Sequence, residues 1–406
     1  MIQRVALLLL VLLASACSSL HPAPPPRTLV LVSLDGFRPQ DLGHGMTPTL
    51  DALARGGVTS EAMRPSYPSL TFPNHYTLVT GLRPDRHGIV HNTMHDPVLG
   101  AFHTGDAAAV GDARWWGGEP LWVTAEKAGL RTATMFWPGS SAAIGGVRPS
   151  EWREYDESLS GERRVDTVLE WLGRPARARP RLVTLYFEAL DEAAHDHGPA
   201  SPEAQAATRA LDGHLARLLH GLDALGLRDQ VDLVVVSDHG MAEVAHGRVV
   251  DVDRLAPPDL VRRVTWGQLI GLQPLPGREA EAVRVLVGRH AHHECWTRET
   301  LPARWHYGRH PRVPAIVCQM DAGWDAETAE RIARRGGYAA PRGSHGYDPA
   351  HPSMAALFIA AGPSFRAGTR LPAFDNVDLY PMLARLLGLV PQPHDGDPAT
   401  LAPALR

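Results

Sequence analysis

The sequence predicts an α/β fold: a mostly parallel central sheet flanked by helices, with a small subdomain inserted late in the chain. Short runs rich in Val, Ile and Leu recur without alternation, as strands buried on both faces do. Helical patterns with legible ends lie between them. Between about 245 and 342 that rhythm breaks down into a Pro-rich stretch, a helix around 278 to 289, a strand "VPAIVCQM" and many aromatic and His residues.

The first strand is "TLVLVSL", residues 28 to 34, followed by "RTATMFW" (131 to 137), "RLVTLYF" (181 to 187), "VDLVVVS" (231 to 237) and "AALFIAA" (355 to 361). In "TPTLDALARGG", Thr47 reads as a helix cap, Pro48 as the first helical residue and Gly56 as the stop. Residues 201 to 226 begin with Ser201-Pro202 and repeat Ala207, Leu211, Leu215, Leu218 and Leu222 at helical spacing, which is a core face.

The chain of 406 residues is long enough for one large domain with an insertion, and 44% hydrophobic with 21% charged residues is a globular composition. A net charge of -4 gives no long-range attraction to polyanions, so no polymeric nucleic acid is expected as a partner. Residues 1 to 17 read as an export signal: Arg4, an apolar run from Val5 to Leu13, then small residues. Its end, "LLASAC", allows cleavage after Ala14-Ser15-Ala16 or lipidation of Cys17; the lipid anchor accounts for the cysteine and is preferred. Residues 18 to 27 form a Pro-rich tether. The expected location is therefore outside the cytoplasm, periplasmic or lipid-anchored to the envelope. In that oxidising setting Cys295 and Cys318 can form a disulfide, whose loop of about 20 residues would contribute about 3 kcal/mol; two buried free thiols are the other reading.

Acidic residues follow three of the strands: Asp35 in "LVSLDGFR", Asp191 in "YFEALDEAAHDHGP" and Asp238 in "VVVSDHGM". Open parallel sheets bind ligands beyond the carboxyl ends of their strands, so these aspartates should share one crevice. Asp191 and His195 are four residues apart, on one face of a helical turn. His239 adjoins Asp238, with Gly240 letting the chain turn, and "GSHGYDP" offers His345 from beyond the insertion. Asp and His together suit zinc or a similar divalent ion. Each signal alone fits a turn or a solvated pair; their conjunction favours a metal site.

"YPSLTFPNHYTLVTGLRPDRHGIVHN", residues 67 to 92, sets Thr71 at or just before a helix, with Pro73 in the first turn and Gly81 as a stop. Thr71 can be an N-cap contributing about 1 kcal/mol, or a nucleophile at a helix terminus that favours phosphate.

These stretches, with "MFWPGS", resemble the nucleotide pyrophosphatase/phosphodiesterase family of the alkaline phosphatase superfamily, over most of residues 28 to 390. The resemblance implies an alkaline-phosphatase-like catalytic domain over 28 to 406 and two zinc ions per chain. One ion would be held by Asp191, His195 and His345, the other by Asp35, Asp238, His239 and the Thr71 oxygen. Asn92 would donate to a phosphoryl oxygen. Thr71 would attack phosphorus, forming a phosphothreonine, and nucleoside 5′-monophosphates would be released from nucleotide diesters or pyrophosphates. Phe72 and Tyr155, in "EWREYDES", match the family's nucleobase-stacking positions, and Tyr186 reads as a core residue whose hydroxyl can face the site. Ala194 stands where the family usually has glycine, and the sulfatase CxPxR pattern is absent. His75, His87, His91, His197 and His351 read as structural or solvated.

Other readings are a phospholipid-headgroup (lysophospholipid) diesterase or a phosphonate hydrolase on the same metal site. A non-catalytic, surface-anchored binding protein is the reading from another class; it expects a lost ligand or nucleophile, and none is lost. The oligomeric state is left open by the sequence.

Overall fold

The computed structural model of this chain describes residues 27–334, 336–337 and 340–406. The export signal, Cys17 and the tether up to residue 26 lie outside the described residues. No helix among the described residues is long and apolar enough to cross a membrane.

Eight strands make the central sheet, in the order Thr369–Leu371, Val58–Ser60, Phe358–Ala361, Val231–Val236, Thr28–Leu34, Leu182–Phe187, Thr132–Met135 and Glu151–Trp152. Thr28–Leu34 lies at its centre, parallel to Leu182–Phe187 on one side and Val231–Val236 on the other. All seven of its residues are buried, because successive side chains enter different cores. Leu29 and Leu31 join one apolar cluster, and Val30, Val32 and Leu34 join another on the opposite face. Each such Leu or Val contributes about 1.5–3 kcal/mol of burial, which is why the run is continuously apolar.

One strand departs from the expected direction. Phe358–Ala361, read from its sequence as part of the parallel rhythm, runs antiparallel to both Val231–Val236 and Val58–Ser60. A strand buried on both faces has the same apolar pattern in either direction, so the pattern cannot report it.

The helices Pro48–Gly56, Gly161–Leu172 and Pro202–Ala224 cover the face of the sheet that carries Val30 and Val32. Ser201 caps the last of these through the Ala204 N–H, and Leu211, Leu215, Leu218 and Leu222 are buried, with Ala207 partly so. Thr47 occupies the expected N-cap position of the first, but its hydroxyl donates to Asp51 at 2.9 Å instead of accepting from the backbone.

The strand Ala242–Val244 pairs antiparallel with Arg342–Ser344 and closes the neck of the intervening segment. That segment builds a five-stranded antiparallel sheet with its own apolar cluster. Cys295 and Cys318 stand directly opposite each other on two of its strands and are joined as a disulfide. The neck matters for function, because His345 directly follows the returning strand.

Candidate functional site

Three carboxyl ends of the sheet converge. Asp35 follows Leu34, Asp238 lies two residues past Val236, and the helix Ala189–His197 begins two residues after Phe187 and carries Asp191 and His195. The start of that helix is anchored from behind: Arg164, 4% exposed, grips Glu188 with both terminal nitrogens at 2.5 and 2.6 Å. Ala194 is buried in the helix, which continues through it.

Glycine is required at two points of this convergence. Gly36 has φ +69, and a Cβ there would stand 3.1 Å from Asp191 Oδ1. Gly240 is needed for close approach, which corrects the expectation of a sharp turn: a Cβ there would meet the Ser353 carbonyl at 2.2 Å.

Polar atoms gather in the crevice at ligand spacing. His239 Nε2 lies 3.0 Å from Asp238 Oδ2 and 3.6 Å from Asp35 Oδ1. His195 Nε2 lies 3.4 Å from Asp191 Oδ2, and His345 Nε2 lies 3.7 Å from Asp191 Oδ1. The His239 and His345 rings stack at 3.6 Å, joining the two sets. Donors at about 2.05 Å around a tetrahedral ion are separated by about 3.3 Å, within the range seen here.

The three imidazoles are preset. Nδ1 of His239, His195 and His345 meets the carbonyls of Gly240, Gly343 and Ser69 at 3.0, 3.0 and 2.9 Å. Each ring therefore keeps its proton on Nδ1 and turns a lone pair on Nε2 toward the cluster. Burial, then the neighbouring His239 and His195, holds the pKa of His345 well below the ordinary value.

The carboxylates need a counter-charge. Asp35 Oδ1, Asp191 Oδ1 and Asp238 Oδ2 are buried without a hydrogen-bond partner. Burial first, then the charges of Asp238 and Asp191, raises the Asp35 pKa well above its ordinary value. Buried carboxylate oxygens without a hydrogen bond carry a desolvation penalty, and a cation coordinated by these oxygens removes it. The mixed Asp and His set fits a divalent metal of zinc's class.

Thr71 opens the helix Thr71–Thr80 as its first helical residue; the cap position belongs to Leu70, and no side chain caps the end. The N-cap reading of Thr71 is therefore corrected. Its hydroxyl lies instead 3.3 Å from His239 Nε2, at the edge of the cluster. Asn92 accepts the Phe72 N–H at 3.0 Å on its carboxamide oxygen, which presents its NH2 group away from that bond.

The aromatic residues separate. Phe72 is half-buried against Phe102 and Trp116, each about 6.1 Å away between ring centres. Tyr155 is 54% exposed and edges onto Phe136, whose φ of 60 is rare for a residue with a side chain. Tyr186 is buried, and its hydroxyl donates to Asp35 at 2.7 Å, so it serves a carboxylate and presents no open face to a substrate.

Sequence reasoning missed the part played by His75. It is fully buried, with Nδ1 2.9 Å from the Thr71 carbonyl and 3.3 Å from Asp238 Oδ2, and Nε2 2.8 Å from the Ser33 hydroxyl. Both nitrogens are engaged by protein groups, so His75 braces the Thr71 backbone and Ser33, with Asp238 Oδ2 within ion-pair distance. The spacing of four between Thr71 and His75 was the signal available for it. His87 and His91 are buried, while His197 and His351 are exposed.

Comparison with known proteins gives a consistent picture. The family model described as Type I phosphodiesterase / nucleotide pyrophosphatase matches residues 29–348. Ectonucleotide pyrophosphatase/phosphodiesterase family member 1 of Mus musculus is 33% identical over 401 residues, covering 96% of this chain and 44% of its own length. The chain thus spans less than half of that relative. An uncharacterised pyrophosphatase/phosphodiesterase of Schizosaccharomyces pombe is 35% identical over 381 residues, 91% of this chain and 78% of its own. The solved structure of murine ectonucleotide pyrophosphatase/phosphodiesterase 5, an inactive threonine-to-alanine variant in complex with AMP, is similar at a TM-score of 0.87 and 32% identity. It covers 94% of this chain and 100% of that one.

Proposed function

Because the chain belongs to the type I phosphodiesterase/nucleotide pyrophosphatase family, we propose that it hydrolyses nucleotide phosphodiesters or pyrophosphates to nucleoside 5′-monophosphates. The observation that carries this reading is the Thr71 hydroxyl, 3.3 Å from His239 at the start of a helix and at the edge of the Asp/His cluster.

In this reading Asp191, His195 and His345 would hold one zinc ion, and Asp35, Asp238 and His239, with the Thr71 oxygen, would hold a second. When bound, such ions supply Lewis acidity that makes the threonine alkoxide accessible near neutral pH and offsets charge on the departing oxygen. Thr71 Oγ1 loses its proton to water and attacks phosphorus in line. The P–O bond to the leaving group breaks as the bond to Thr71 forms, giving a phosphothreonine that water then hydrolyses. The NH2 of Asn92, oriented by the Phe72 N–H, donates to a non-bridging oxygen, and the positive end of the helix dipole at Thr71 favours the same negative charge. Phe72 and Tyr155 offer aromatic faces to the nucleobase. The residues of the signal and the names of the ectoenzyme relatives support action outside the cytoplasm.

The test compares a nucleotide diester, a simple diester, a monoester and a choline lysolipid as substrates of the wild-type protein and Thr71→Ala. The expected result is preference for the nucleotide diester, abolished in the variant, with configuration at phosphorus retained after two inversions. Full activity of Thr71→Ala removes the nucleophile assignment, and faster cleavage of the lysolipid removes the nucleotide one.

A further inference from the structure

Three groups of His, Cys or acidic side chains among the described residues bring one ligand atom from each member within 4.8 Å of the others. Two of these groups belong to the crevice beside Thr71. The third, His290, His293 and Cys295, lies in the inserted subdomain, and the catalytic scheme makes no use of it.

The local backbone brings these three side chains together. Gly288–Arg289 and His293–Thr297 form a hairpin in which Gly288 pairs with Cys295 and Arg289 with Glu294. The His290 N–H donates to the His293 carbonyl at 2.9 Å, so the two histidines close the turn opposite each other. Their rings stack at 4.5 Å. Cys295 follows His293 by two residues on the strand, and side chains two apart share a face. Gly288, opposite Cys295, adds no side chain, and a Cβ there would meet nothing within 4 Å, so space remains at this end of the hairpin.

The donors suit a metal in all but one respect. His290 Nε2 meets the Leu286 carbonyl at 2.8 Å; a carbonyl only accepts, so that nitrogen carries the proton and Nδ1 keeps its lone pair. The His293 ring makes no hydrogen bond among the described residues. Arg289, next to His290 in the chain, is neutralised by Asp321 at 2.5 and 2.6 Å. His292, at the tip of the turn, stacks on Trp324 and stays out of the group. The missing part is the thiolate, because Cys295 is bonded to Cys318, directly opposite on the neighbouring strand. A disulfide sulfur is a poor ligand, whereas a thiolate with two imidazoles is a donor set for zinc.

We propose that this hairpin is a further, redox-gated zinc site: closed while Cys295 and Cys318 are joined, opened by a dithiol that reduces them, and built from His290, His293 and Cys295. One thiolate of the dithiol attacks the S–S bond, which breaks, and two electrons pass to the cysteine pair as the dithiol closes to its own disulfide. The Cys295 thiol then gives its proton to water, and its sulfur joins the two ring nitrogens around the ion. The fourth tetrahedral position stays open to water, as in other sites with three protein ligands. The assignment does not depend on the nucleotide reading, since it shares no residue with the crevice.

The experiment titrates cobalt(II), as a probe for zinc, into metal-free protein and records the thiolate-to-cobalt charge-transfer band in the near ultraviolet. The crevice ligands include no sulfur and Cys17 is common to all samples, so a band gained on opening the disulfide reports this site. The samples are oxidised wild type, wild type reduced by a dithiol that is removed before titration, Cys318→Ser, and Cys318→Ser combined with His290→Ala and His293→Ala. The expected result is a band in reduced wild type and in Cys318→Ser that oxidised wild type lacks, displaced by zinc and lost with the two histidines. Absence of the band from both reduced wild type and Cys318→Ser, folded or not, overturns the site, since a disulfide that has to stay closed leaves no state in which the metal binds. A band that persists without the two histidines also overturns it, because a thiolate alone then accounts for the cobalt.

Discussion

The hydroxyl of Tyr186 donates a 2.7 Å hydrogen bond to Oδ2 of Asp35, leaving Oδ1 as the oxygen that faces the cluster without a partner. A donor to a metal-binding carboxylate orients it, and loss of such partners commonly costs 10–100-fold in metal affinity or activity. Tyr186→Phe should therefore lower nucleotide-diester hydrolysis by about 10–100-fold with little change in fold. Chelator competition should show weaker metal retention. A variant with wild-type metal affinity and activity would leave Tyr186 as a core residue only.

Metal removal should be visible in stability as well as in activity. Three buried carboxylate oxygens have no hydrogen-bond partner. A ligand present at about a hundredfold over its Kd contributes about 2.7 kcal/mol to the folded state, or roughly 3 °C for a domain of this size. Dialysis against a chelator should lower Tm by about that amount and abolish hydrolysis, and zinc should restore both. Elemental analysis of the untreated protein gives the metal count directly.

Phe72 and Tyr155 should behave differently when truncated. Base stacking on an aromatic side chain contributes about 1–3 kcal/mol, so each Ala variant should raise KM for a nucleotide diester about tenfold relative to a simple diester. Only Phe72→Ala should also lower stability, by about 2 kcal/mol, because Phe72 packs against Phe102 and Trp116 while Tyr155 is exposed. Thermal denaturation beside the kinetics separates the two roles.

His87 should contribute to acid lability. Burial lowers its pKa from 6.5 to about 3, and the neutral ring accepts the Ile89 N–H while meeting the Thr77 hydroxyl. The folded-state pKa is depressed, so the unfolded chain takes up the proton first. The stability from the neutral ring is present above pH 6.5 and is lost as pH falls from there toward 3. Between pH 6.5 and 4.5 the loss is roughly 2–3 kcal/mol. His87→Asn should be less stable at pH 7 but should lose less on acidification, which denaturant titrations at pH 7 and 4.5 can measure.

Much of the site was legible because its residues follow buried strands. A run such as Thr28–Leu34 has to be apolar at every position, so its end, and Asp35 after it, stand out in the sequence. The same holds for Asp238 and His239 after Val231–Val236, and the four-residue helical spacing joins His195 to Asp191. Strand direction was not legible for Phe358–Ala361, since burial on both faces erases the difference.

The sequence by itself determined the strands, the helices with Pro and Ser at their starts, and the residue types able to bind a metal and attack phosphorus, because these depend on local periodicity and side-chain chemistry. Tertiary structure decided what depends on distant partners. Carbonyls of Ser69 and Gly343, far along the chain, orient His345 and His195. Leu70 takes the cap position and frees Thr71 to face His239. Tyr186, read from the sequence as a core residue whose hydroxyl can face the site, and His75, read as structural or solvated, found their places beside Asp35 and Asp238 only once the sheet had brought its carboxyl ends together. No local pattern encodes contacts of that range, since they arise only when buried polar groups must find partners across the assembled core.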